Sequence, residues 1–320
     1  MLRLQVICPA EVTPKVLALL ARDPGTAHVS VSAGTALRPE GDLVQADIAR
    51  AAANQVLDEL TALGVPRSGA ITFGPVDYRL SAAAVRAGRA VSHGAGEPVV
   101  WQEALQRAWR DAHFTPVFLT LLTIALLLSV IGVATGSPIT IVGAMVVGPE
   151  YGPLAAISVG LVRRTPRLIR RGVFALAVGF PIAMLITAAA TVLWVWLGWI
   201  DVTDVQNARH FDFIYEVGPF SFLVAVLAGA AGMLAQITAR SAALVGVFIS
   251  VTTVPAAGLA VAAGVAGRWS VAGSSLLQLG VNLLGIVVAG LLVLALRPGS
   301  SRELGPARRL RQWLADGRHR

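Results

Sequence analysis

Residues 115–296 consist almost entirely of apolar side chains, and this tract limits the chain to few kinds of fold. The chain is 55% hydrophobic and 14% charged, whereas a soluble domain carries about 25% charged residues. Its apolar runs are each close to the ~20 residues with which an α-helix crosses a bilayer. We therefore expect a multi-pass α-helical membrane protein, because helices satisfy their backbone groups within lipid. The six predicted spans are 115–134, 138–162, 172–197, 219–237, 241–266 and 272–296.

The charges between these spans predict how the chain is oriented. The loop 163–171 holds five arginines, whereas 198–218 holds four acidic residues and one arginine. The tail 297–320 carries seven arginines and two acids. Because basic loops stay in the cytoplasm, we expect a plasma (inner) membrane protein with both termini cytoplasmic. The basic flanks also account for a pI near 11.0, so the expected partner is the lipid bilayer and not nucleic acid.

Residues 1–80 differ from the rest because they are nearly neutral, with seven Lys/Arg and eight Asp/Glu. Alternating and helical apolar patterns follow one another along this segment. The predicted strands are 2–8, 28–33, 43–48 and 70–78, and the predicted helices are 11–22 and 50–64. This βαββαβ order predicts an α+β ferredoxin-like domain with an antiparallel sheet. We expect it to regulate the membrane part or to form a homo-oligomer through its exposed sheet.

Residues 81–114 connect the two parts. The Ala-, Gly- and Ser-rich stretch 80–97 predicts a linker. From residue 97 to residue 113 the pattern is that of an amphipathic helix, with Trp101 and Trp109 on its apolar face. Such a helix directly before a span is typical of a segment lying at the cytoplasmic interface. Packing against the small domain is the alternative.

The second and fifth predicted spans resemble each other. A shared Val-Gly pair aligns them and places Pro153 within one residue of Pro255, near the middle of each span. The pattern predicts two repeats of three spans, 115–197 and 219–296. Because three spans reverse the direction of the chain, these repeats are inverted, as in many secondary transporters. Chance similarity between apolar spans is the alternative.

The helix-breaking residues Gly148, Pro149, Gly152 and Pro153 surround Glu150, which is the only charged residue within the six predicted spans. A carboxylate at bilayer depth costs about 2–3 kcal/mol or more and usually marks an ion or substrate path. Each proline would begin a half-helix whose positive N-terminal end points to the membrane centre. Freed N–H groups there can hold an anion, and freed carbonyls a cation. The predicted binding residues are Glu150, Tyr151, Gly152, Pro153, Thr252, Thr253, Pro255 and Asn282, with Gln278 as a further polar group.

Glu150 leaves the chemistry of this site open. An ionised carboxylate would repel an anion and favour Na⁺ or an organic cation, whereas a protonated one would carry a coupling proton. Capping of the N–H groups that the prolines free is the structural alternative. A lone Asn282 within a span more often joins helices than binds a ligand.

Other kinds of site have little support. Cys8 is the only cysteine, which excludes a disulfide within the chain and a cysteine-based metal site. The five histidines have no metal-ligand spacing, and no phosphate-binding loop or Ser/His/Asp grouping is evident. We therefore expect no enzymatic activity and no cofactor, apart from a coupling H⁺ or Na⁺.

The segment from Ser137 to Pro153 carries a family resemblance. Its SPITIVGAM run followed by GPEYGP, the Val-Pro pair at Pro255 and the Asn-Leu pair at Asn282 resemble the bacterial and archaeal hydrophobic membrane proteins of domain of unknown function 389. The resemblance covers roughly 110–296 and includes a small soluble domain ahead of it. It implies no activity. Many members have an apolar residue in place of Glu150, which makes the carboxylate a property of a subgroup.

These features predict a secondary-active transporter of a small polar solute, with its site between the broken helices 138–162 and 241–266. An ion or solute channel, with the broken helices as its filter, is one alternative. A membrane-anchored sensor or scaffold that signals through the soluble domain is another. An inert anchor has no need for breakers within its spans or for a buried acid, so transport is the favoured function.

Overall fold

A computed structural model describes residues 1–76, 81–91, 100–201, 218–238 and 252–296. The chain forms two compact units, Met1–Glu103 and a second that begins at Ala104. The strands of the first unit are β1 (Leu2–Cys8), β2 (Thr26–Leu37), β3 (Glu40–Ile48) and β4 (Ala70–Pro75). Its helices are α1 (Thr13–Arg22), α2 (Arg50–Ala62), α3 (Val65–Ser68) and α4 (Ala82–Val91).

The strands of the first unit form an antiparallel sheet in the order β2-β3-β1-β4. The predicted βαββαβ order and the antiparallel sheet are confirmed. Alternate residues of β1, from Leu2 to Cys8, are buried against α1 and α2, which contribute Val16 and Val56 to the core. The hairpin of β2 and β3 is longer than predicted. Its tip around Leu37 is exposed and has no alternation of buried and exposed residues, so the sequence pattern does not reveal it.

Helix α4 lies in the segment that the sequence predicted to be a linker. Its buried Ala84 and Ala87 let it pack closely on β2 and α2. The Ser81 hydroxyl accepts a hydrogen bond from the Ala84 N–H at 3.3 Å and caps the helix. Alanine is abundant in flexible segments, but it is also the strongest helix former, so composition alone gave the wrong expectation at 82–91.

The second unit is helical. Its first helix, α5 (Trp101–Asp111), contains the boundary between the two units, which falls after Glu103. The remaining helices are α6 (Pro116–Ala134), α7 (Pro138–Val147), α8 (Tyr151–Val162), α9 (Pro166–Trp196), α10 (Pro219–Ile237), α11 (Thr253–Val265) and α12 (Trp269–Ala295). Within the described residues, α6, α9, α10 and α12 are long and apolar enough to span a membrane. Helices α7 and α8 make a fifth candidate, bent by 49°.

The described helices therefore give four or five spans where the sequence predicted six. The difference lies in the fifth predicted span, 241–266. Its second part is the 13-residue helix α11, which is shorter than the ~20 residues a span needs. Its first part, 241–251, lies outside the described residues.

Equivalent features recur about 103 positions apart in the helical unit. Helices α6 and α10 each have 19 residues and begin with a proline, Pro116 and Pro219. After each helix a threonine, Thr135 or Thr238, donates its hydroxyl to the carbonyl four residues earlier at 2.7 Å. The two helices thus share their length, their first residue and their C-terminal hydrogen bond.

The same spacing holds for the ends of α8 and α11. Arg164 and Gly267 follow these helices with positive φ values of 49° and 74°. In the next residue, the N–H of Thr165 bonds the Gly160 carbonyl at 2.7 Å, and the N–H of Arg268 bonds the Ala263 carbonyl at 2.8 Å. Both helices therefore end in the same turn, which leads into a long apolar helix.

Small residues set the contacts among these helices. Helices α9 and α12 each pack against both α8 and α11. Gly258 of α11 lies against Ser129 of α6, and Gly232 of α10 lies against the ring of Tyr151 in α8. Close approach at small residues is typical of helix packing in membranes.

Candidate functional site

The break between α7 and α8 is made by Gly148 and Pro149. Gly148 leaves the helical conformation with φ −60° and ψ 125°, and Pro149 has no N–H with which to continue the α7 ladder. Glu150 then occupies the N-cap position of α8. Thr252 occupies the N-cap position of α11, and a proline is the third residue of both helices. The two helices therefore begin alike.

The first residues of α8 and α11 are joined by a buried hydrogen bond. The Thr253 hydroxyl donates to Glu150 Oε1 at 2.5 Å. Glu150 is 6% exposed, and Thr253 is fully buried. Since each helix presents unpaired N–H groups and a partial positive charge at its first turn, the Glu150 carboxylate lies near two positive helix ends. This arrangement stabilises negative charge in an apolar interior.

Gly148 allows the carboxylate to take this position. A Cβ atom at residue 148 would overlap Glu150 Oε2 and would lie 2.7 Å from Val254 Cγ2. The glycine thus makes room for the Glu150 side chain between the starts of α8 and α11.

A second group of hydrogen bonds begins at the neighbouring Thr252. The Asn282 amide donates to Thr252 Oγ1 at 2.8 Å. The Gln278 amide donates to Asn282 Oδ1 at 3.1 Å and also to Ser221 Oγ. Gln278 and Asn282 are buried in α12 and lie one turn apart, so their side chains share a helix face. This group links α10, α11 and α12.

Two buried oxygens of these groups have no hydrogen-bond partner within the described part of the chain. They are Glu150 Oε2 and Gln278 Oε1. Burial without a hydrogen bond costs on the order of 1–3 kcal/mol for a polar group. Such atoms need an explanation in a native protein, and a bound cation, a proton or a solute donor would supply it.

A cleft of about 340 Å³ reaches the break from the side of α5. Arg110 and Asp111 of α5, Gln236 of α10, and Tyr151 and Gly152 of α8 are among the residues that line it. Burial raises the pKa of Asp111, although the nearby arginines oppose this shift. A Cβ atom at residue 152 would lie 2.9 Å from the Asp111 Cβ, so the glycine allows α5 to approach α8.

The structure brings together part of the predicted site. Glu150, Thr252, Thr253 and Asn282 lie in the two hydrogen-bonded groups, together with Gln278. The remaining predicted residues have other positions. Tyr151 and Gly152 line the cleft. Pro153 is buried with its carbonyl near Gly172, and Pro255 is buried within α11.

Sequence reasoning missed Ser221 and Asp111. Ser221 lies in the first turn of a span, where a lone serine carries no signal. Asp111 lies within the predicted amphipathic helix 97–113, where one more charged residue carries no signal of a site. The i, i+4 spacing of Gln278 and Asn282 is a signal that would have pointed to a paired polar face on α12.

A separate polar row lies in the first unit. His28 bonds Asp47 through Nδ1 at 2.7 Å and Ser81 through Nε2 at 2.6 Å, and Arg3 also bonds Asp47 at 3.1 Å. His28 has a positive φ of 53° at an irregularity of β2, which turns its ring toward β3. Because Ser81 caps α4, the row fastens this helix to the sheet. Among the described residues, no three His, Cys, Asp or Glu side chains form a metal-binding group.

The apolar helices and the buried hydrogen bonds among them define a helical membrane protein with a small α+β unit at its N-terminus. Residues 145–288 match the family model described as Domain of unknown function (DUF389). Residues 145–288 thus carry this domain, which confirms the resemblance seen in the sequence. No curated protein and no solved structure matches the chain.

Proposed function

We propose that the helical unit is a secondary-active transporter of a small polar solute. Its binding site would lie between the broken helices α7–α8 and α11. The observation that carries this proposal is the buried bond from Thr253 to Glu150, which joins the start of α11 to the break between α7 and α8. Interrupted helices that meet inside the membrane form the substrate and ion sites of many transporters. This role is binding and transport, not catalysis.

The proposal includes a repeat of three spans. The matched prolines of α6 and α10 and the matched turns after α8 and α11 support it. In this arrangement α7 and α8 form the second span, and α11 with the residues before it forms the fifth. Six spans then result.

The two repeats would be inverted, since each contains an odd number of spans. Two features support this orientation. The N-terminal ends of α8 and α11 meet at Glu150 and Thr253, as expected for half-helices that enter from opposite sides. Helices α9 and α12 also have equivalent contacts, because each packs against both α8 and α11.

The groups at the site indicate the chemistry of the solute. The helix ends favour an acceptor or an anionic group. Glu150 Oε2 and Gln278 Oε1 favour a donor or a cationic group. A small solute that carries both kinds of group would satisfy the site, and a coupling H⁺ or Na⁺ would neutralise Glu150.

The first unit is proposed to be a cytoplasmic ferredoxin-like domain. Its strand order β2-β3-β1-β4, with helices after β1 and β3, supports this assignment. The five arginines at 163–171 support a plasma-membrane orientation with both termini in the cytoplasm. Val29 and Val31 are exposed on β2 and offer a surface through which the domain would form a homo-oligomer or regulate transport.

Ligand-dependent melting of the purified full-length protein tests the transport proposal. Pools of amino acids, organic acids, amines and sugars are screened for a rise in melting temperature. A binding pool is then tested in proteoliposomes for counterflow of its labelled solute, which a channel does not support. We expect Glu150→Gln to weaken the rise at least tenfold in solute concentration. Ser275→Ala is the control, because among the described residues this buried hydroxyl bonds only its own helix, at Val271 O.

Two results would overturn the proposal. One is conduction of the solute without saturation or counterflow. The other is an experimental structure in which 115–197 and 219–296 do not superpose in opposite orientations.

A further inference from the structure

Six polar residues form a continuous row through the helical unit, here called the polar string. The row begins at Ser221 and passes through Gln278 and Asn282 to Thr252 by hydrogen bonds. It continues through the adjacent Thr253 to Glu150. Gln278, Asn282, Thr253 and Glu150 are all at least nine-tenths buried. A buried row of this length is costly in an apolar interior, so packing alone does not explain it.

The polar string and the cleft together extend along the whole of α10. Ser221 lies in the first turn of α10 and is partly exposed. Gln236 lies in its last turn and lines the cleft, which also reaches Pro149 and Tyr151 beside Glu150. These two α10 residues are about 22 Å apart at 1.5 Å per residue. Polar groups therefore approach Glu150 from both ends of a helix long enough to span a membrane.

Glu150 is the only titratable member of the polar string. The charged or titratable groups at the cleft end are Arg110 and Asp111 of α5, with His113 beside them, and Tyr151 adjoins Glu150 on α8. Along the string itself, the hydroxyl and amide groups donate toward the next oxygen. A proton that crosses this region thus has one group on which to rest, the Glu150 carboxylate.

The donor set favours a proton over a metal cation. A hard metal ion requires several oxygen ligands at once. In the polar string, Glu150 Oε1 already accepts from Thr253, and the amide nitrogens of Asn282 and Gln278 are occupied donors that repel a cation. Glu150 Oε2 and Gln278 Oε1 are the two oxygens of the string without a partner among the described residues. Two oxygens are fewer than a hard cation takes, whereas Glu150 Oε2 alone is sufficient to bind a proton.

We propose that the polar string and the cleft are a proton path across the membrane, with Glu150 as the group that binds the proton. This inference rests on the proposed transport function and names H⁺ as its coupling ion. On one side, Glu150 takes a proton from hydronium, which leaves water and a neutral carboxyl. On the other side the carboxyl returns the proton to water. For the proton to reach the far end, water has to enter along Ser221, Gln278 and Asn282, whose side chains bond one another directly.

Proton flux in proteoliposomes tests the path. Vesicles containing the full-length protein and the pH dye pyranine are loaded with K⁺, and valinomycin sets an inside-negative potential. We expect internal acidification, reduced at least tenfold by Glu150→Gln and partly retained by Glu150→Asp. Gln278→Leu removes a polar link and should reduce the flux severalfold. Ser275→Ala lies one turn away on α12 and should leave it unchanged. Melting temperature and gel filtration verify that each variant is folded.

The outcomes separate this inference from the transport proposal. Wild-type flux in Glu150→Gln, or flux carried by Na⁺ and not by H⁺, overturns the proton path. If a solute raises the melting temperature but the wild-type protein conducts no protons with or without that solute, the path fails and transport stands. If protons cross in a Glu150-dependent way but no solute binds, the transport proposal fails, and with it the role of H⁺ as a coupling ion, whereas the proton path itself stands.

Discussion

The ring of Tyr151 lies directly against Gly232 of α10, with no room for a side chain between them. A Cβ atom at residue 232 would lie 2.6 Å from the Tyr151 Cε2, Cζ and Oη atoms. Tyr151 is buried and has Glu150 as its neighbour at the start of α8. The position of the tyrosine ring, which lines the cleft beside Glu150, depends on this glycine.

Gly232→Ala should therefore destabilise the helical unit. Overpacking in a filled interior costs about 1–3 kcal/mol, which outweighs the advantage of alanine in a helix. The expected result is a lower melting temperature in detergent. Gly280→Ala is the matched control, since it is also within a long helix and nothing lies within 4 Å of its added Cβ. That variant should be neutral or more stable, and equal behaviour of the two would contradict the contact.

Thr253→Val should destabilise the protein by removing the donor to Glu150 Oε1. Leaving a buried acceptor without its hydrogen bond costs about 1–3 kcal/mol. Thr253→Ser keeps the hydroxyl and should retain most of the stability. Thr191→Val is the control, because the one partner of the buried Thr191 hydroxyl in the described part of the chain is Thr187 O in its own helix. Thermal unfolding followed by tryptophan fluorescence measures all three, and a loss in Thr191→Val as large as that in Thr253→Val refutes the prediction.

Gly148→Ala should damage the site more than it damages the fold. The added methyl would overlap Glu150 Oε2 and press on Val254, so the carboxylate must move. We expect the solute-dependent rise in melting temperature and the proton flux to fall at least fivefold. Gly143→Ala, in the same helix α7, meets open space and should leave both unchanged. Unaltered flux in Gly148→Ala would show that the break tolerates a side chain.

The sequence predicts most helix limits of the second unit because the thickness of a bilayer sets them. Helix α6 at Pro116–Ala134 differs from its predicted span by one residue. Among the helices whose predicted span lies within the described residues, α9 differs most, because it starts at Pro166, six residues before the predicted span. The arginines that follow Pro166 mark the edge of the membrane, but they are good helix formers and do not interrupt the helix. Charge thus predicts where lipid ends, not where the helix begins.

The candidate site could be predicted only in part. Glycine and proline reveal that a helix breaks, and so the approach of Glu150 to Thr253 follows from matched breaks in two spans. The rotation of each helix about its own axis cannot be predicted from an apolar sequence, because nearly every face of the helix is hydrophobic. Whether Tyr151 faces Thr252 or Gly232 depends on that rotation. The contact of Ser221 with Gln278 depends on the packing of α10 against α12 in the same way.

Acid should loosen the first unit through Asp47. Burial raises the pKa of Asp47, but the hydrogen bonds and charges of Arg3 and His28 outweigh it and hold the pKa below its usual value. A carboxyl with a lowered pKa in the folded state stabilises the fold above its unfolded pKa of about 3.9. This contribution is lost as the pH falls from about 4 through the lower folded value.

Cys8 provides the measurement, because it is the only cysteine in the chain and is fully buried in the first unit. A thiol reagent active in acid, such as 4,4′-dithiodipyridine, labels it only when the unit opens. We expect labelling in mild urea to accelerate as the pH falls from 5 to 3. Asp47→Asn should label faster at pH 5 and lose most of this acceleration. Glu40→Gln, at the exposed tip of the β2–β3 hairpin, should behave like the wild type. An unchanged pH profile in Asp47→Asn would assign the acid sensitivity to other groups.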